Sequence, residues 1–441
     1  MKQAIVRPTR AVICVAVALL AGIGALVWHQ GAESSAEAAV LSAIPHGQGD
    51  SLSDQAVTRW AGKVKQNAEN DAAWANLGEA LMQKARETGG GAYYKHAETA
   101  FRKALSLNPK NVPATVGISW VYGSLHEFEQ SIEWARKAVA LEPKNQDAYG
   151  LLGDAVVEMG DYDQAFQHYQ KMLDIRPDLS SYSRAAHLLQ LSGDTRKASW
   201  LIQKAIAAGG PYAENAAWCR AQRALMLWGT GAVLAAEQEA KAAFEQAPNN
   251  YQVLTAMGKI KTARSEYQSA IEYYQKAAKM APHPETIIAL GDLYRLKGQN
   301  DEAEKQYALV EAIFKASGRK PDIQRARFYA DHDRNLPEAL KEAEAVYAQR
   351  KNVFVSDTLA WCYYKNGRYE EARKAILEAL KMRTPDASFL FHAGMIHARL
   401  GVRSEAQRYL YQALSLNPHF HPVDAVTASD VLKQLGSSPS S

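Results

Sequence analysis

Residues 146–177 read QDAYGLLGDAVVEMGDYDQAFQHYQKMLDIRP, and this stretch decides the fold. Apolar residues recur from Tyr149 to Val156 at steps of three and four, which is the spacing of one face of an α-helix. Gly160 interrupts the pattern, a second apolar stripe follows, and Pro177 ends it because proline cannot donate a backbone hydrogen bond. The stretch therefore predicts two α-helices joined by a tight turn.

The same pattern returns along most of the chain with a period close to 34 residues. Pro109, Pro143 and Pro177 lie 34 residues apart, and so do Pro248 and Pro282. One helix pair cannot bury its own apolar face, so such pairs stack into a solenoid. A small residue, expected where the two helices touch, keeps the same period at Ala97, Ser131, Ala165, Ala198, Ala236, Ala270, Ala303, Ala339, Ala372 and Ala406.

This pattern resembles the tetratricopeptide repeat, which carries Trp, Leu-Gly and Tyr in its first helix, Ala, Phe or Tyr and Ala in its second, and then Pro. The resemblance implies an all-α solenoid of helix-turn-helix units, wound as a right-handed superhelix over residues 53–418. In the first unit the matches are Trp74, Leu77, Gly78, Ala97, Phe101, Ala104 and Pro109. We predict ten repeats, which begin near Asp71, Val112, Gln146, Leu179, Ala217, Tyr251, Pro284, Lys320, Val353 and Ala387.

The C-terminal half has a second resemblance. The runs IALGDLY at 288–294 and FHAGMIHARLG at 391–401 are similar to those of a group of bacterial tetratricopeptide proteins of unknown function. That resemblance implies a bacterial origin and no mechanism.

Three features depart from the repeat pattern. Repeat one carries an insertion around Thr88–Gly91, which we interpret as a flexible loop. Repeat five has Arg223-Ala224 where Leu-Gly is expected, and residues 207–216 before it predict a bend or a weak junction. Residues 52–65 resemble a lone second helix and are expected to cap the N-terminal end of the array.

Residues 11–28 read AVICVAVALLAGIGALVW and contain no charged side chain. As a helix they would be about 27 Å long, close to the hydrocarbon core of about 30 Å. Lys2, Arg7 and Arg10 precede the segment and no Lys or Arg follows until Arg59, a bias that places the N-terminus in the cytoplasm. We expect a basic cytoplasmic tail at 1–10, a transmembrane signal-anchor at 11–28, a flexible linker at 29–52 and a C-terminal tail at 419–441.

Two interpretations of the apolar segment stay open. An uncleaved anchor would make a single-pass protein of the bacterial inner membrane with its repeats in the periplasm. Cleavage of a signal peptide, for instance at the small-x-small triplet Ala36-Glu37-Ala38, would instead yield a periplasmic or secreted protein. The length favours the anchor, because the apolar core of a signal peptide is usually about 7–15 residues long.

Composition and motifs argue against an enzyme or a cofactor-binding protein. The net charge of +4 is too even for a nucleic-acid-binding protein, and three cysteines cannot build a disulfide framework or a four-cysteine zinc site. No Walker A, HExxH, GxSxG or GxGxxG motif occurs, and the repeats leave no stretch long enough for a catalytic domain. His392, His397, His419 and His421 have no suitable ligand partners, so we predict no metal, no cofactor and no catalytic residues.

First helices line the concave groove of such a solenoid, and the family resemblance assigns particular positions to it. Trp120 and Trp361 fall at equivalent groove positions of repeats two and nine and are expected to be exposed anchors. Each aromatic could instead pack between adjacent first helices, and both interpretations stay open. The candidate partner-binding residues are Trp120, Trp218, Trp228, Phe328, Phe354, Trp361, Tyr364 and Phe391.

Charged groove positions predict opposite charge at the two ends of the array. The early repeats supply Glu79, Asp147, Asp154 and Glu158, and the later ones Lys259, Arg295, Lys365 and Arg399, diluted by Asp292 and Asp357. The Lys/Asn clamp of chaperone-binding family members is not reproduced at Ala75, Glu79, Val116, Trp120, Gly150 and Asp154, which argues against binding of a chaperone tail.

We therefore expect a membrane-anchored, periplasm-facing scaffold that binds a protein or peptide in its groove, in envelope or secretion assembly. The alternative is an accessory protein of polysaccharide export, because aromatic side chains in a groove also stack on sugars.

Overall fold

A computed structural model describes residues 51–210, 213–316 and 320–436. In these ranges the regular secondary structure consists of 22 α-helices and no β-strand, which confirms the all-α class. The predicted tail at 1–10, the signal-anchor at 11–28 and nearly all of the linker at 29–52 lie outside the described residues. Among the residues that are described, no helix is both long enough and apolar enough to cross a membrane.

Ten consecutive helix pairs form the repeats. The first helices span Asp71–Thr88, Val112–Ser124, Gln146–Met159, Leu179–Leu191, Ala213–Gly229, Tyr251–Ala263, Pro284–Leu296, Ile323–Asp331, Val353–Lys365 and Ala387–Arg399. The second helices span Ala92–Leu107, Phe128–Leu141, Tyr162–Ile175, Thr195–Ala208, Val233–Gln246, Tyr267–Met280, Asn300–Ala316, Leu336–Gln349, Tyr369–Ala379 and Arg403–Leu416. The small residue of each second helix is buried in all ten repeats, as its period predicts.

Eight first helices begin at the residue predicted for their repeat, and two begin three or four residues away from it. The first helix of repeat five begins at Ala213 instead of Ala217, so this helix has 17 residues. The first helix of repeat eight begins at Ile323 instead of Lys320, because the Asp322 carboxylate accepts hydrogen bonds from the next backbone N–H groups and sets the start.

Single helices flank the array. The predicted N-terminal cap is a helix at Leu52–Gln66. The predicted C-terminal tail differs from expectation, since it contains a helix at Asp424–Gly436 that packs on the second helix of repeat ten. Two of its alanines, Ala425 and Ala428, are buried, so this helix covers the apolar face that the last repeat would otherwise expose.

The chain divides into two compact units. The first comprises the described residues up to Lys84 and the segment Ala92–Ile118. Its core is built on Trp74 and Phe101, which are both fully buried. The Phe101 ring occupies the space beside Gly117, where a Cβ would lie 2.2 Å from the ring, so glycine is required there.

The second unit comprises Ala85–Gly91 and the chain from Ser119 onward, and it contains repeats three to ten. Within its repeats, the close approach of paired helices depends on a glycine facing an aromatic ring. A Cβ at Gly153 would lie 2.1 Å from Cε1 of Tyr169, sixteen residues later, and the pair Gly291 and Tyr307 repeats this arrangement. The glycine of the sequence pattern therefore leaves the space that the aromatic ring of the second helix occupies.

In the second unit, the turns inside repeats two, three, four and five contact the loops that follow repeats seven, eight, nine and ten, respectively. Lys320, between repeats seven and eight, pairs with Glu127 in the turn of repeat two at 3.0 Å. In the next three turns, side chains of the later loops donate hydrogen bonds to carbonyl oxygens at the ends of first helices. The pairs are Asn352 Nδ2 to Glu158 O at 2.9 Å, Thr384 Oγ1 to Leu191 O at 2.7 Å and Asn417 Nδ2 to Trp228 O at 2.8 Å.

These bonds reach carbonyl groups near the C-terminal ends of first helices, where no later helical N–H is available to donate to them. We call the three pairs the interturn bonds. They connect residues 189 to 194 positions apart, so contacts in this unit extend beyond the neighbouring repeats that a solenoid repeat usually contacts. Glycines with positive φ at Gly160, Gly193 and Gly231 let the two backbones approach, since a Cβ at each would lie under 3 Å from the facing loop.

Candidate functional site

The eight aromatic candidates fall into three groups by burial. Phe328, Trp361 and Phe391 are buried, and Phe354 is the most accessible at 46%. The other four are half-buried: Trp120, Trp218, Trp228 and Tyr364. Their role in partner binding stays a prediction. Because three of the eight are buried, a partner can reach only the other five in this structure.

Trp361 is held in a stack of three rings. The Tyr364 ring lies parallel to it with centroids 4.6 Å apart, and the His392 ring covers the other face at 4.1 Å. Only 6% of Trp361 is exposed, so the expectation of an exposed groove anchor was wrong at this position. The reason is the neighbouring first helix of repeat ten, which brings His392 against the indole.

A charged network lies beside this stack. The Asp357 carboxylate accepts from His392 Nδ1 at 2.7 Å and from Arg327 Nη1 at 2.7 Å, and Arg327 also pairs with Asp331. Burial would raise the pKa of Asp357, but the imidazole and the guanidinium lower it, so the carboxylate is charged at neutral pH. We call Arg327, Asp357, Trp361, Tyr364 and His392 the repeat-nine cluster.

Spacing predicted Trp361, Tyr364 and Asp357 as groove positions, but it did not predict that Asp357 pairs with Arg327 and His392. Asp357 stands in the run VFVSDTLAWCYY, where nearly every neighbour is apolar. A buried carboxylate requires a partner, so an aspartate in such a run is the sequence signal for a cationic partner.

Phe328 belongs to a separate aromatic group in repeats seven and eight. It lies 4.7 Å from the ring of His332 and 5.7 Å from that of Tyr307. His332 Nε2 is 2.8 Å from the Asp292 carboxylate. Burial would lower the pKa of His332, but the hydrogen bond with Asp292 and the charge of that carboxylate raise it. His332 therefore stays protonated to a higher pH than a free histidine does.

Accessible aromatic groups carry cations beside them. Lys259 Nζ lies 4.5 Å from the ring of Trp228, which is cation–π geometry. Phe354 packs edge-on against Phe389 of the next first helix, with centroids 5.6 Å apart. A hydrogen bond with Tyr364 raises the pKa of the exposed Arg399. Trp228 of repeat five and Tyr364 of repeat nine therefore each lie beside a cation of the following repeat.

Most predicted groove charges have partners inside the protein. Asp154 accepts from Arg184 at 2.9 Å and from Tyr169, and Glu158 pairs with Arg350 at 3.0 Å. Among the later cations, Arg295 pairs with Glu304 and Lys365 with Asp333. These contacts reduce the net charge that the sequence predicted at each end of the array.

Chemically reactive groups in the described residues are held in unreactive states. Burial raises the pKa of the Cys219 and Cys362 thiols to about 12, which keeps both protonated. His397 Nδ1 contacts the carbonyl of Ala393, and His421 pairs with Asp424 at 3.0 Å. In the described part of the chain, no three potential ligands gather in a way that could hold a metal ion.

Stacked helix pairs with buried small residues and an extended first-helix face define a helical-repeat interaction protein. Family models described as tetratricopeptide repeat match residues 72–111, 116–180, 255–319 and 358–419, and the chain belongs to this family.

Known relatives are distant. The chain is similar to the TPR repeat-containing protein MJ1428 of Methanocaldococcus jannaschii, with 21% identity over 418 residues that cover 81% of this chain and 72% of that protein. It is also similar to the formate-dependent nitrite reductase complex subunit NrfG of Escherichia coli O157:H7, with 28% identity over 141 residues that cover 30% of this chain and 68% of that protein.

Two solved structures are similar at 14% identity. One, described as a human IFIT1 dimer with PPP-AAAA, has a TM-score of 0.47 and covers 86% of this chain and 94% of that chain. The yeast Tom70 structure has a TM-score of 0.39 and covers 92% of this chain and 96% of that chain.

Proposed function

We propose that this tetratricopeptide protein binds a protein partner along the first helices of repeats five to ten. The observation that carries the proposal is a set of partly exposed first-helix aromatic side chains: Phe354, Tyr364 beside Arg399, and Trp228 beside Lys259. Aromatic side chains and arginine supply most of the binding energy at protein interfaces. Tetratricopeptide repeats form scaffolds for protein–protein interaction, and exposed aromatic and cationic side chains suit that function.

The partner segment is expected to be acidic and to carry apolar side chains. Lys259 has no ion pair among the described residues, and Arg399 is exposed, so a carboxylate of the partner can approach either one. Phe354 offers the apolar contact area. The other members of the repeat-nine cluster, Arg327, Asp357, Trp361 and His392, hold the first helix in place behind these groups and are not themselves the contact surface.

A matched pair of variants tests this assignment. Phe354→Ala removes an accessible first-helix aromatic, and Trp200→Ala removes an accessible second-helix aromatic that is 56% exposed. Proteins captured from cells by the full chain are quantified for both variants. We expect the same specific partner to be depleted by Phe354→Ala and retained by Trp200→Ala. Equal capture by both variants would contradict the first-helix site.

We further propose that the protein is anchored in the inner membrane with its repeats in the periplasm, where it serves envelope or secretion assembly. The support is the uncharged segment 11–28 and the basic residues before it. Similarity to a subunit of a bacterial enzyme complex accords with an assembly role. A reporter that is active only outside the cytoplasm should be active when fused after Ser441, and activity of a cytoplasmic reporter there would refute this topology.

Binding of a polysaccharide is the second candidate function, because the same aromatic groups stack on sugar rings. Protease treatment of the captured fraction separates the two. If the captured ligand survives proteolysis and its binding still depends on Phe354, the ligand is a polysaccharide and not a protein.

A further inference from the structure

Repeat five contributes to a pocket, lined in part by Met226 and Leu227, whose polar residues the tetratricopeptide pattern does not explain. The pocket lies between the two helices of repeat four and the first helix of repeat five, and its volume is about 210 Å³. Its polar lining consists of Gln190, Thr195, Arg196, Ser199, Arg223 and Thr230. The pocket is separate from the first-helix aromatic groups described above.

Arg223 occupies a position that is otherwise apolar in the array. It stands thirteen residues before the small residue of the second helix, where the eight other repeats that lack an insertion carry Leu, Ile, Met or Ala. Those side chains are all buried, as Leu152, Met257 and Leu359 illustrate. A guanidinium in such a position is costly unless its donors are used, so its presence requires an explanation.

Only some of the hydrogen-bond donors of Arg223 have partners inside the protein. Its Nη1 pairs with Glu239, which also accepts from Arg220 at 3.4 Å. The Nε–H of Arg223 is buried and has no hydrogen-bond partner among the described residues. A buried donor without an acceptor costs about 1–3 kcal/mol, so Arg223 is kept at this position at a cost that the repeat pattern does not require.

The other polar side chains of the pocket are also available. Arg196 is exposed, and no ion pair or hydrogen bond of its side chain exists within the described residues. The hydroxyls of Thr195 and Ser199 likewise have no side-chain hydrogen bond in that part of the chain. Arg196, Arg223, Thr195 and Ser199 therefore line one pocket with two guanidinium groups and two hydroxyls.

We propose that this pocket binds a phosphate group. A phosphate presents three or four acceptor oxygens and matches a surplus of donors from three helices better than a carboxylate with two oxygens does. The same chemistry could come from inorganic phosphate or from a phosphorylated side chain of a partner. Glu239 holds one edge of Arg223 and orients the remaining donors.

Three variants of the full chain test the site by calorimetric titration with inorganic phosphate and with O-phosphoserine. Arg223→Leu restores the residue type of the repeat pattern, so it should fold and melt no lower than the parent. It should bind phosphate at least about tenfold more weakly, because a charged donor is lost. Arg196→Ala lies at the surface and should also weaken binding without lowering the melting temperature.

Arg220→Leu is the matched control, since Arg220 shares Glu239 but does not line the pocket. It should bind phosphate as the parent does. Tighter binding of O-phosphoserine than of inorganic phosphate would assign the site to a phosphorylated partner, and the reverse order would assign it to the free ion. Failure of the parent to bind either compound, or unchanged binding by Arg223→Leu, would overturn the proposal.

Discussion

The side-chain amide of Asn352 donates a 2.9 Å hydrogen bond to the main-chain carbonyl of Glu158, 194 residues earlier in the chain. The same amide lies 3.2 Å from the Glu158 carboxylate. Its Oδ1 accepts from the N–H of Val355 and caps the first helix of repeat nine. One residue thus starts a helix in repeat nine and closes a helix in repeat three.

Asn352→Asp separates these two roles. The aspartate keeps the capping oxygen, loses both donors and places a second carboxylate beside Glu158. We expect a loss of at least about 2 kcal/mol of unfolding free energy, because a buried carbonyl loses its partner. Hydrogen exchange should accelerate at the end of the first helix in repeat three as well as in repeat nine.

Asn250→Asp is the control for this prediction. Asn250 caps the first helix of repeat six in the same way, through bonds from Gln252 and Val253, and makes no interturn bond. It should change stability little. Exchange that accelerates only in repeat nine after Asn352→Asp would contradict the interturn bonds.

Turn glycines provide a second test of the contact between distant repeats. Gly193 and Gly367 both have positive φ, at 82° and 75°. A Cβ at Gly193 would lie 2.8 Å from the carbonyl oxygen of Arg383, whereas a Cβ at Gly367 meets no atom within 4 Å. Gly367→Ala should cost about 1 kcal/mol for the strained backbone, and Gly193→Ala about 1–3 kcal/mol more for the clash. Chemical denaturation measures both, and equal losses would show that the turns do not touch.

Substitution of Trp361 and of Phe354 compares a buried with an exposed aromatic side chain of repeat nine. Trp361→Ala should destabilise the protein by about 3–5 kcal/mol, because it empties a stacked and buried position. Phe354→Ala should cost less than about 1 kcal/mol, since the ring is 46% exposed. Thermal melting followed by circular dichroism checks both. A near-parental melt of Trp361→Ala would mean that the indole is not part of the core.

The pair of His332 and Asp292 makes stability depend on pH. The pKa of His332 in the folded protein is raised above the usual value of 6.5. The stabilisation from this pair is therefore complete below pH 6.5 and is lost as the pH rises through the raised pKa of the folded state. Unfolding free energies at pH 6 and pH 9 should differ less in His332→Gln than in the parent. An identical pH dependence in the two proteins would exclude this pair as its source.

Much of the fold follows from the sequence because helical periodicity and the 34-residue period are local properties. Gly153 and Ala165 already indicate where two helices touch, and the structure confirms that contact. The interturn bonds of Asn352, Thr384 and Asn417 could not be predicted. They depend on how many repeats complete one superhelical turn, and that number arises from small rotations accumulated over every repeat.

The site was less predictable for the same reason. Spacing shows that Trp361 and Tyr364 share a helix face, but it does not fix the rotation of that helix against its neighbour. A few tens of degrees decide whether the indole meets solvent or His392. The charge pattern was also incomplete, because Asp154 and Glu158 are paired with Arg184 and Arg350, which no spacing rule connects.

The most direct measurement of the central claim is site-specific photo-crosslinking in cells. A photoreactive phenylalanine analogue replaces Phe354 on a first helix in one protein and Tyr411 on a second helix in the other, where Tyr411 is 66% exposed. We predict one discrete protein adduct from position 354, abolished by charge reversal at Arg399 or Lys259, and no such adduct from position 411. A discrete adduct from position 411 with none from position 354 would place the partner on the second helices and contradict this account.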